Sequence, residues 1–470
     1  MSKTNSSAPP PRILLCVHQF FPTFSAGTEV LVLSTANALR NVGYEVRIVT
    51  GAVTNESRVS TDTYTFQGFT VHRISSPYQP GSFDAETALR EYENDEISPH
   101  FNAILDIFSP DLVHFFHFRN LTLSCLQACL VRSIPTAFTP TDFWLACRTC
   151  QLLKPWGQPE CTGPERLAGN CLRHTLINSK RRPLVSLAKV MPGLLFSTLA
   201  LLLTKSRLLK HSRFNRLSID LMQRETRILS HLEKIDLLFP PTRSLLQRLQ
   251  TGGIASSKII PLRYAIEPPV VDDHIIATSK SQQPFTVGFI GTLVEHKGCH
   301  VLLSALKKIP SCNIEARIYG DTQHYPAYVD SLMSIADNDE RIRFLGTFPP
   351  DTIGNVLNEL DVLIIPSTWR ENAPLVLLNA IASATPVIAS DVQGITEYLS
   401  SDDDVALFPS GDSRKLAQLL VERCHTGKAT GKKASPATRV AGSGLATYAN
   451  ILDSAYNRLI QRPYKKMDKT

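Results

Sequence analysis

The segment 361–397 places one carboxylate, Glu371, just ahead of a predicted helix that begins at Pro374. The apolar runs Asp361–Ile365 and Pro386–Ser390 predict strands on either side of that helix. Ligands of α/β proteins bind at the carboxyl ends of such parallel strands. The helix start also offers free N–H groups to an anion. The segment therefore indicates a nucleotide-sugar site.

A second loop carries the complementary charge. Gly291, Thr292 and Lys297 follow the first predicted strand of the second half and precede a helix headed by Gly298. A lysine beside a helix start can meet a diphosphate. Glycosyl transfer needs such a group, because negative charge grows on the leaving diphosphate. We therefore predict that Lys297 and Glu371 act together.

The same residues carry a resemblance to a known family. Glu371, the run Asn372–Leu375, Gly394 and Glu397 resemble the donor-site signature of family 4 retaining glycosyltransferases. That resemblance implies the two-domain GT-B fold, in which two Rossmann-like, doubly wound parallel sheets face a cleft. It also implies transfer with retention, without a catalytic metal. The donor contacts that it implies are Asn372, Ala373, Pro374, Leu375 and Gly394.

This chain departs from the family pattern at three positions. Asn379 stands where a second glutamate holds the ribose hydroxyls, and an amide binds them without charge assistance. Thr292 stands where an arginine is common, so Lys297 would carry more of the charge. Thr141 replaces a histidine ahead of Asp142. Asp142 is then interpreted as an acceptor-positioning residue or base, with a structural cap as the alternative.

The first half opens with the strand Arg12–His18 and a small-residue loop that contains Gly27. Strands that alternate with helices predict a doubly wound parallel sheet, closed here by a strand at Lys258–Leu262. Gly27 is similar to a family loop near the diphosphate or acceptor, and an ordinary turn glycine is the alternative. His117 ends a strand and could line the cleft; simple hydrogen bonding there is the favoured alternative. Without a G-x-G-x-x-G fingerprint, a nicotinamide enzyme is disfavoured.

The chain of 470 residues is expected to divide at a polar, proline-containing linker. Ten cysteines in this length do not make a disulfide scaffold and favour a cytoplasmic location. The predicted divisions are a flexible tail (1–11), an N-terminal acceptor domain (12–266) with a helical insertion at about 145–230, a linker (267–284), a donor domain (285–443) with a loop from about 425, and a final helix (444–461) that packs back on the first domain.

The insertion begins with a group of soft ligands. Cys147, Cys150, Cys161, Cys171 and His174 follow the spacing C-x2-C, C-x10-C and C-x9-C-x2-H. Five such residues are enough for a closed tetrahedral zinc site of structural type. Related family 4 sequences also carry cysteines in this insertion. Unlinked thiols that pack a small subdomain are the alternative, and a catalytic metal is disfavoured.

The insertion is also strongly basic. Residues 166–219 hold eleven Lys or Arg and no Asp or Glu, although the whole chain has a formal charge of only +7. Its apolar run 190–204 has fifteen residues, fewer than the roughly 18–20 that span a bilayer. Such a segment suits peripheral binding to an anionic membrane, at its inner face. A solvated helical insertion is the alternative. Nucleic acid is disfavoured, because no recognition motif accompanies the charge.

The favoured interpretation is a metal-independent hexosyltransferase. It would move a sugar from a nucleoside diphosphate sugar to a hydroxyl of a glycan or lipid-linked acceptor, as in surface polysaccharide, lipopolysaccharide or glycolipid biosynthesis. No cofactor is expected for catalysis. The alternatives are a catalytically degenerate GT-B protein that binds nucleotide or glycan, and a GT-B sugar-nucleotide epimerase.

Overall fold

The computed structural model describes residues 9–78, 85–154, 161–178, 182–205, 212–271, 283–426 and 444–461. The chain forms two compact units. Unit 1 comprises residues 1–241, 245–262 and 449–470, and unit 2 comprises residues 242–244 and 263–448. The division after Leu262 falls shortly before the end that was expected at 266. Most of the predicted tail, much of the linker and nearly all of the predicted loop after 425 lie outside the described residues.

Unit 1 is built on a sheet whose strands are β1 (Arg12–Val17), β2 (Glu45–Val53), β3 (Ser60–Phe66), β4 (Phe69–Ser76), β5 (Leu112–Phe115), β6 (Thr136–Phe138) and β7 (Leu237–Leu238). In the described part of the unit these seven strands have the order β3-β4-β2-β1-β5-β6-β7. All neighbours are parallel except β3 and β4. The strand order reverses between β1 and β5, which is where doubly wound sheets open a ligand crevice.

Helices follow most strands, as the alternating pattern predicts. Up to residue 262 they are α1 (Gly27–Asn41), α2 (Ala85–Arg90), α3 (Ser98–Phe108), α4 (Thr122–Val131), α5 (Gly169–Ile177), α6 (Arg182–Val190), α7 (Gly193–Lys205), α8 (Arg213–Leu232) and α9 (Arg243–Thr251). In α1 the side chains of Val32, Ala36 and Leu39 recur at helical spacing and are buried.

Unit 2 repeats the architecture with strands β8 (Phe285–Ile290), β9 (Ile314–Tyr319), β10 (Ile342–Gly346), β11 (Val362–Ile365), β12 (Val387–Ser390) and β13 (Val405–Phe408). Its helices are α10 (Cys299–Leu306), α11 (Pro326–Ala336), α12 (Ile353–Glu359), α13 (Leu375–Ala382) and α14 (Ser413–Thr426). The sheet is parallel throughout, with the order β10-β9-β8-β11-β12-β13 among the described residues. The predicted class, two doubly wound parallel α/β sheets, is confirmed. The switch point here lies between β8 and β11.

One predicted element is wrong. Lys258–Leu262 does not form a strand: a 3-10 turn ends at Lys258, and a single bridge joins Ile259 to Leu238. The N–H groups of Ile260 and Leu262 do donate to the carbonyls of Leu238 and Pro240, at 2.9 and 3.1 Å, so the segment runs alongside β7 without the full ladder of a strand. Two strands were not predicted, β3 and β13, and both lie at sheet edges.

The last helix, α15 (Leu445–Ile460), joins unit 1 from Ala449 onward. Its Asp453 accepts a hydrogen bond from the Tyr44 hydroxyl at 2.7 Å. Its Tyr456 hydroxyl contacts Nδ1 of the buried His114, at the carboxyl half of β5. The described part of α15 therefore packs on the first unit.

The basic insertion has a small apolar core of its own. Leu172, Phe196, Ala200, Leu217 and Leu221 from α5, α7 and α8 pack together there. Other apolar side chains of α6 and α7 stay on the surface: Leu187, Val190, Leu194, Leu195 and Leu202. Among the described residues, none of the helices has both the length and the apolar content that crossing a bilayer requires.

Candidate functional site

Unit 2 brings the two predicted charges together at its switch point. Lys297 lies in the loop after β8 and Glu371 in the loop after β11, and these strands are neighbours. The Lys297 Nζ lies 2.7 and 2.9 Å from the two carboxylate oxygens of Glu371. The Ser367 hydroxyl donates a third hydrogen bond to this carboxylate at 2.6 Å.

The two partners differ in what they can offer a ligand. Glu371 is 3% exposed and Lys297 is 28% exposed. Burial alone would raise the pKa of Glu371, but Lys297 and Ser367 together hold it below its ordinary value. The carboxylate is therefore ionised and fixed, while the ammonium group keeps an open side toward solvent.

Close backbone contacts join the loops that carry this pair. The backbone N–H of Thr368 donates to the carbonyl of His296 at 2.8 Å. A Cβ at Gly298 would lie 1.8 Å from the carbonyl oxygen of Pro366, and one at Gly394 would lie 1.9 Å from that of Glu371. Both glycines also have positive φ, at 75° and 88°. Only glycine fits either position.

The side chains of Trp369 and His296 lie beside the ion pair of Lys297 and Glu371. Their rings meet edge to face at 4.9 Å between centroids, and the Lys297 Nζ lies 5.3 Å from the Trp369 ring centroid. Burial, with Lys297 next, lowers the pKa of His296 to about 4, so its imidazole is neutral. The sequence analysis did not select these residues, although both stand within two positions of the predicted pair.

The other predicted donor residues have different surroundings. Asn372 is buried, accepts from Thr242 at 3.0 Å and donates to the Tyr264 hydroxyl at 3.2 Å, both within unit 2. Asn379 is buried and donates to the Leu375 carbonyl of its own helix at 3.0 Å. Gly291 is half-buried and Thr292 is exposed. Among these residues, Asn372 holds the loop after β11 in place through its hydrogen bonds to Thr242 and Tyr264.

The helix beyond Glu371 starts one residue later than the sequence predicted. Pro374 is the N-cap of α13, and Leu375 is its first helical residue. Ala373 ahead of them is buried and has a positive φ of 58°, which a side chain rarely adopts. The turn therefore places the start of α13, with its first N–H groups, directly after the loop that holds Glu371.

Unit 1 has a second polar cluster at its own switch point. His117 follows β5, and its Nε2 lies 3.0 Å from Oδ2 of Asp142, which follows β6. The backbone N–H of Arg119 donates to Nδ1 of His117 at 2.9 Å, so the ring proton is on Nε2 and is donated to Asp142. The other oxygen of Asp142 accepts from the Trp144 N–H at 2.7 Å. Burial would raise the pKa of Asp142, but these partners hold it below its usual value.

Sequence reasoning missed two members of this cluster. The rings of His18 and His117 are 4.4 Å apart, and Nε2 of His18 lies 3.8 Å from the carboxylate of Glu29. Glu29 is fully buried, and neither oxygen has a hydrogen bond of normal geometry. Burial raises its pKa to about 7. The signal that could have revealed Glu29 is its spacing, since it lies three residues before Val32 on the apolar face of α1. Gly27 is exposed at the start of α1.

The structure divides the five soft ligands into two places. Cys147, Cys161, Cys171 and His174 line one cavity of the insertion. The thiol of Cys150 instead lies within 4.8 Å of the donor atoms of His117 and Asp142, the one such threefold group among the described residues. Both ring nitrogens of His117 are already hydrogen-bonded, so this group is not a ligand set.

Comparison with known proteins identifies the second unit. Residues 284–425 match the sequence model of the family described as Glycosyl transferases group 1. The predicted glycosyltransferase resemblance is therefore confirmed over these residues. The narrower assignment to family 4 stays a prediction.

Two relatives illustrate the range of the match. The amylovoran biosynthesis glycosyltransferase AmsK of Erwinia amylovora is 29% identical over 40% of this chain and 47% of its own length. The phosphatidyl-myo-inositol mannosyltransferase of Mycobacterium leprae is 33% identical over 29% of this chain and 36% of its own length. The chain thus spans about half or less of the curated relatives that it matches.

Solved structures show the fold over most of the chain. HepE of Anabaena, in complex with UDP and glucose, has a TM-score of 0.58 and 16% identity over 94% of this chain and 98% of its own. The lipopolysaccharide outer core galactosyltransferase WaaB has a TM-score of 0.52 and 14% identity over 95% and 99% of the two chains. The GT-B architecture of glycosyltransferases is therefore confirmed for both units.

Proposed function

We propose that the protein is a retaining glycosyltransferase that moves a sugar from a nucleoside diphosphate sugar to a hydroxyl of a glycan or lipid-linked acceptor. The observation that carries the proposal is the ion pair of Lys297 and Glu371 at the switch point of a group 1 glycosyltransferase domain. HepE was crystallised with UDP-glucose, which supports a uridine diphosphate sugar among the donors.

Each partner has a chemical task in this proposal. The leaving diphosphate gains negative charge in the transition state, and the partly exposed Lys297 ammonium together with the first N–H groups of α13 would stabilise it. Glu371 orients the lysine and stands beside the transferred sugar. Asn379 would contact the ribose. Retention and catalysis without a divalent metal are both implied by the family 4 resemblance. NMR of the anomeric configuration of the product tests retention.

The acceptor would be bound by unit 1. Asp142 is ionised and already accepts two hydrogen bonds, so it suits the positioning of His117 better than proton abstraction. Glu29, with a pKa raised to about 7, is the better candidate for an acid or base in this unit. His18 lies between Glu29 and His117 and would complete the polar lining.

The insertion supports a membrane-proximal acceptor. Val190 and Leu194 are 84% and 83% exposed, within a basic segment. Exposed apolar side chains among lysines suit the headgroup region of an anionic bilayer. We propose a peripheral location on the inner face of the membrane and a role in surface polysaccharide or glycolipid biosynthesis, as the name of the Erwinia relative suggests.

A donor screen tests the proposal. Thermal shifts of the full chain are measured across nucleoside diphosphate sugars, beside Glu371→Ala, and the donor that stabilises the wild type is then tested for hydrolysis and for transfer in a membrane extract. We expect one donor class to stabilise the wild type, and the variant to lose transfer.

The alternatives give different results in the same experiment. A degenerate GT-B protein would bind nucleotide but show neither hydrolysis nor transfer, and that outcome would refute an enzymatic function. An epimerase would convert the donor sugar without any acceptor.

A further inference from the structure

We propose that Cys147, Cys161, Cys171 and His174 form a structural zinc site of three thiolates and one imidazole in the insertion of unit 1. These four side chains line a cavity of about 60 Å³, and Cys150 does not. The sequence offered five soft ligands, and the structure selects four, the number that a closed tetrahedral zinc site requires.

The four donors come from three separate stretches of chain, as in a cross-link. Cys147 lies in the turn after Trp144, Cys161 precedes Asn170 in the stretch before α5, and Cys171 and His174 lie on α5. A separation of three residues puts Cys171 and His174 on the same face of this helix. An ion in the cavity would tie all three stretches together.

A buried cation borders the cavity. Arg224 lines it and is 4% exposed, with one N–H group bonded to the Trp144 carbonyl at 2.7 Å. Its charge interacts with Asp220 and Glu225, but its buried Nε and Nη2 have no hydrogen-bond acceptor. A zinc ion with three thiolates carries a net charge of −1, which this guanidinium would stabilise further.

Zinc binding would be a balanced exchange of ligands. The hydrated ion would release its waters and the three thiols would release their protons, while three Zn–S bonds and one Zn–N bond form.

The backbone around the cavity indicates a segment that needs such support. Leu152, Leu167 and Ala168 adopt positive φ values of 52°, 66° and 49°. Non-glycine residues in this region persist only when surrounding contacts hold them there. The stretch between β6 and α5 contains only a 3-10 turn among its described residues, so few backbone ladders supply those contacts.

The donors have to approach one another to hold an ion. No three of the four donor atoms lie within 4.8 Å of one another. Tetrahedral Zn–S bonds of about 2.3 Å would bring sulfurs to about 3.8 Å. The proposal therefore includes a local rearrangement of these side chains, all four of which line the same cavity.

Metal analysis of the full chain, purified under reducing conditions, tests the site. We expect about one zinc per chain in the wild type and in Cys150→Ser, and less than about a tenth in Cys161→Ser and Cys171→Ser. Cobalt(II) in place of zinc should give the visible absorption of a tetrahedral thiolate site. Cys150→Ser is the matched control, because its thiol lies nearby but outside the cavity.

A second pair of variants protects the test against misfolding. His174→Cys keeps four ligands and should retain the zinc, whereas His174→Ala should lose it. Wild-type protein that takes up less than about a tenth of an equivalent after reconstitution with zinc would overturn the proposal. Equal metal loss in Cys150→Ser and Cys161→Ser would overturn it as well.

Discussion

At the scale of single residues, Lys297 keeps an almost fully buried carboxylate ionised. Glu371 has Lys297 and Ser367 as partners, and the lysine supplies the positive charge. Without it the pKa of Glu371 would rise, because burial disfavours the charged form. The same lysine is proposed to stabilise the leaving diphosphate. One side chain would therefore serve both the ground state of the site and its transition state.

Lys297→Met should accordingly abolish most of the transfer activity. The change removes the charge but keeps an unbranched side chain, so kcat should fall roughly 10²–10³-fold, as for the loss of one transition-state donor. Initial rates at saturating donor measure this. Lys307→Met, at an exposed surface pair, is the control. Activity of Lys297→Met within about threefold of the wild type would remove Lys297 from the proposed mechanism.

Glu29 predicts a pH dependence of stability. Its pKa is raised from 4.5 to about 7 in the folded state. At pH values between these two, the folded chain keeps the proton on Glu29, whereas the unfolded chain has released it. The stability that this group contributes is present at low pH and is lost as pH rises through about 7. Glu29→Gln should therefore exceed the wild type in unfolding free energy at pH 8, by on the order of 1–3 kcal/mol, and much less at pH 5.

Urea denaturation at the two pH values measures the effect, with the exposed Glu56→Gln as the control. An equal effect of Glu29→Gln at pH 5 and pH 8 would contradict the assigned burial. Sequence alone did not reveal this residue. Whether a helical carboxylate is solvated or buried depends on what packs against the helix, and α1 packs against β1 and β2.

At the scale of elements, the donor loops depend on two glycines that permit backbone contact. The resemblance indicated Gly394 as a donor-site residue, but the sequence could not show that its loop presses on the carbonyl of Glu371. The strands β8, β11 and β12 were predictable from their apolar, β-branched runs. The edge strands β3 and β13 were not: Ser60–Phe66 is polar and largely exposed, and Val405–Phe408 is only partly buried. Edge strands lack the two-sided burial that produces a clear pattern.

Gly394→Ala should disable the donor site. Its Cβ would lie 1.9 Å from the Glu371 carbonyl oxygen, so the carboxylate loop has to move. Gly411→Ala is a matched control, since Gly411 has a similar φ of 80° and no atom within 4 Å of the added Cβ. Both variants bear the left-handed backbone cost of about 1–2 kcal/mol, but only Gly394→Ala should lose the donor-induced thermal shift. Equal loss in both would mean that backbone strain, and not the contact, is responsible.

At the scale of the whole molecule, charge and apolar exposure coincide in one segment. Residues 166–219 contain all of the positive excess, and the rest of the chain is net negative. The most exposed apolar side chains of the insertion, Val190 and Leu194, lie in or beside α6 and α7 of this segment. A sequence reveals the charge excess directly. Which apolar residues stay on the surface becomes evident only once the core of α5, α7 and α8 is known.

The double variant Val190→Ser and Leu194→Ser should weaken binding to anionic vesicles. Each side chain contributes roughly 1–2 kcal/mol when it enters the bilayer interface, so the apparent affinity should fall tenfold or more, about the loss expected for 1.4 kcal/mol and above. Co-sedimentation of the full chain with phosphatidylglycerol and phosphatidylcholine vesicles measures this. Binding of the wild type should require the anionic lipid and should decline as salt rises. The matched control is Ile107→Ser and Val131→Ser, which are 69% and 72% exposed outside the insertion. Should this control lose as much binding, or should neutral vesicles bind equally well, the insertion would not be the membrane surface.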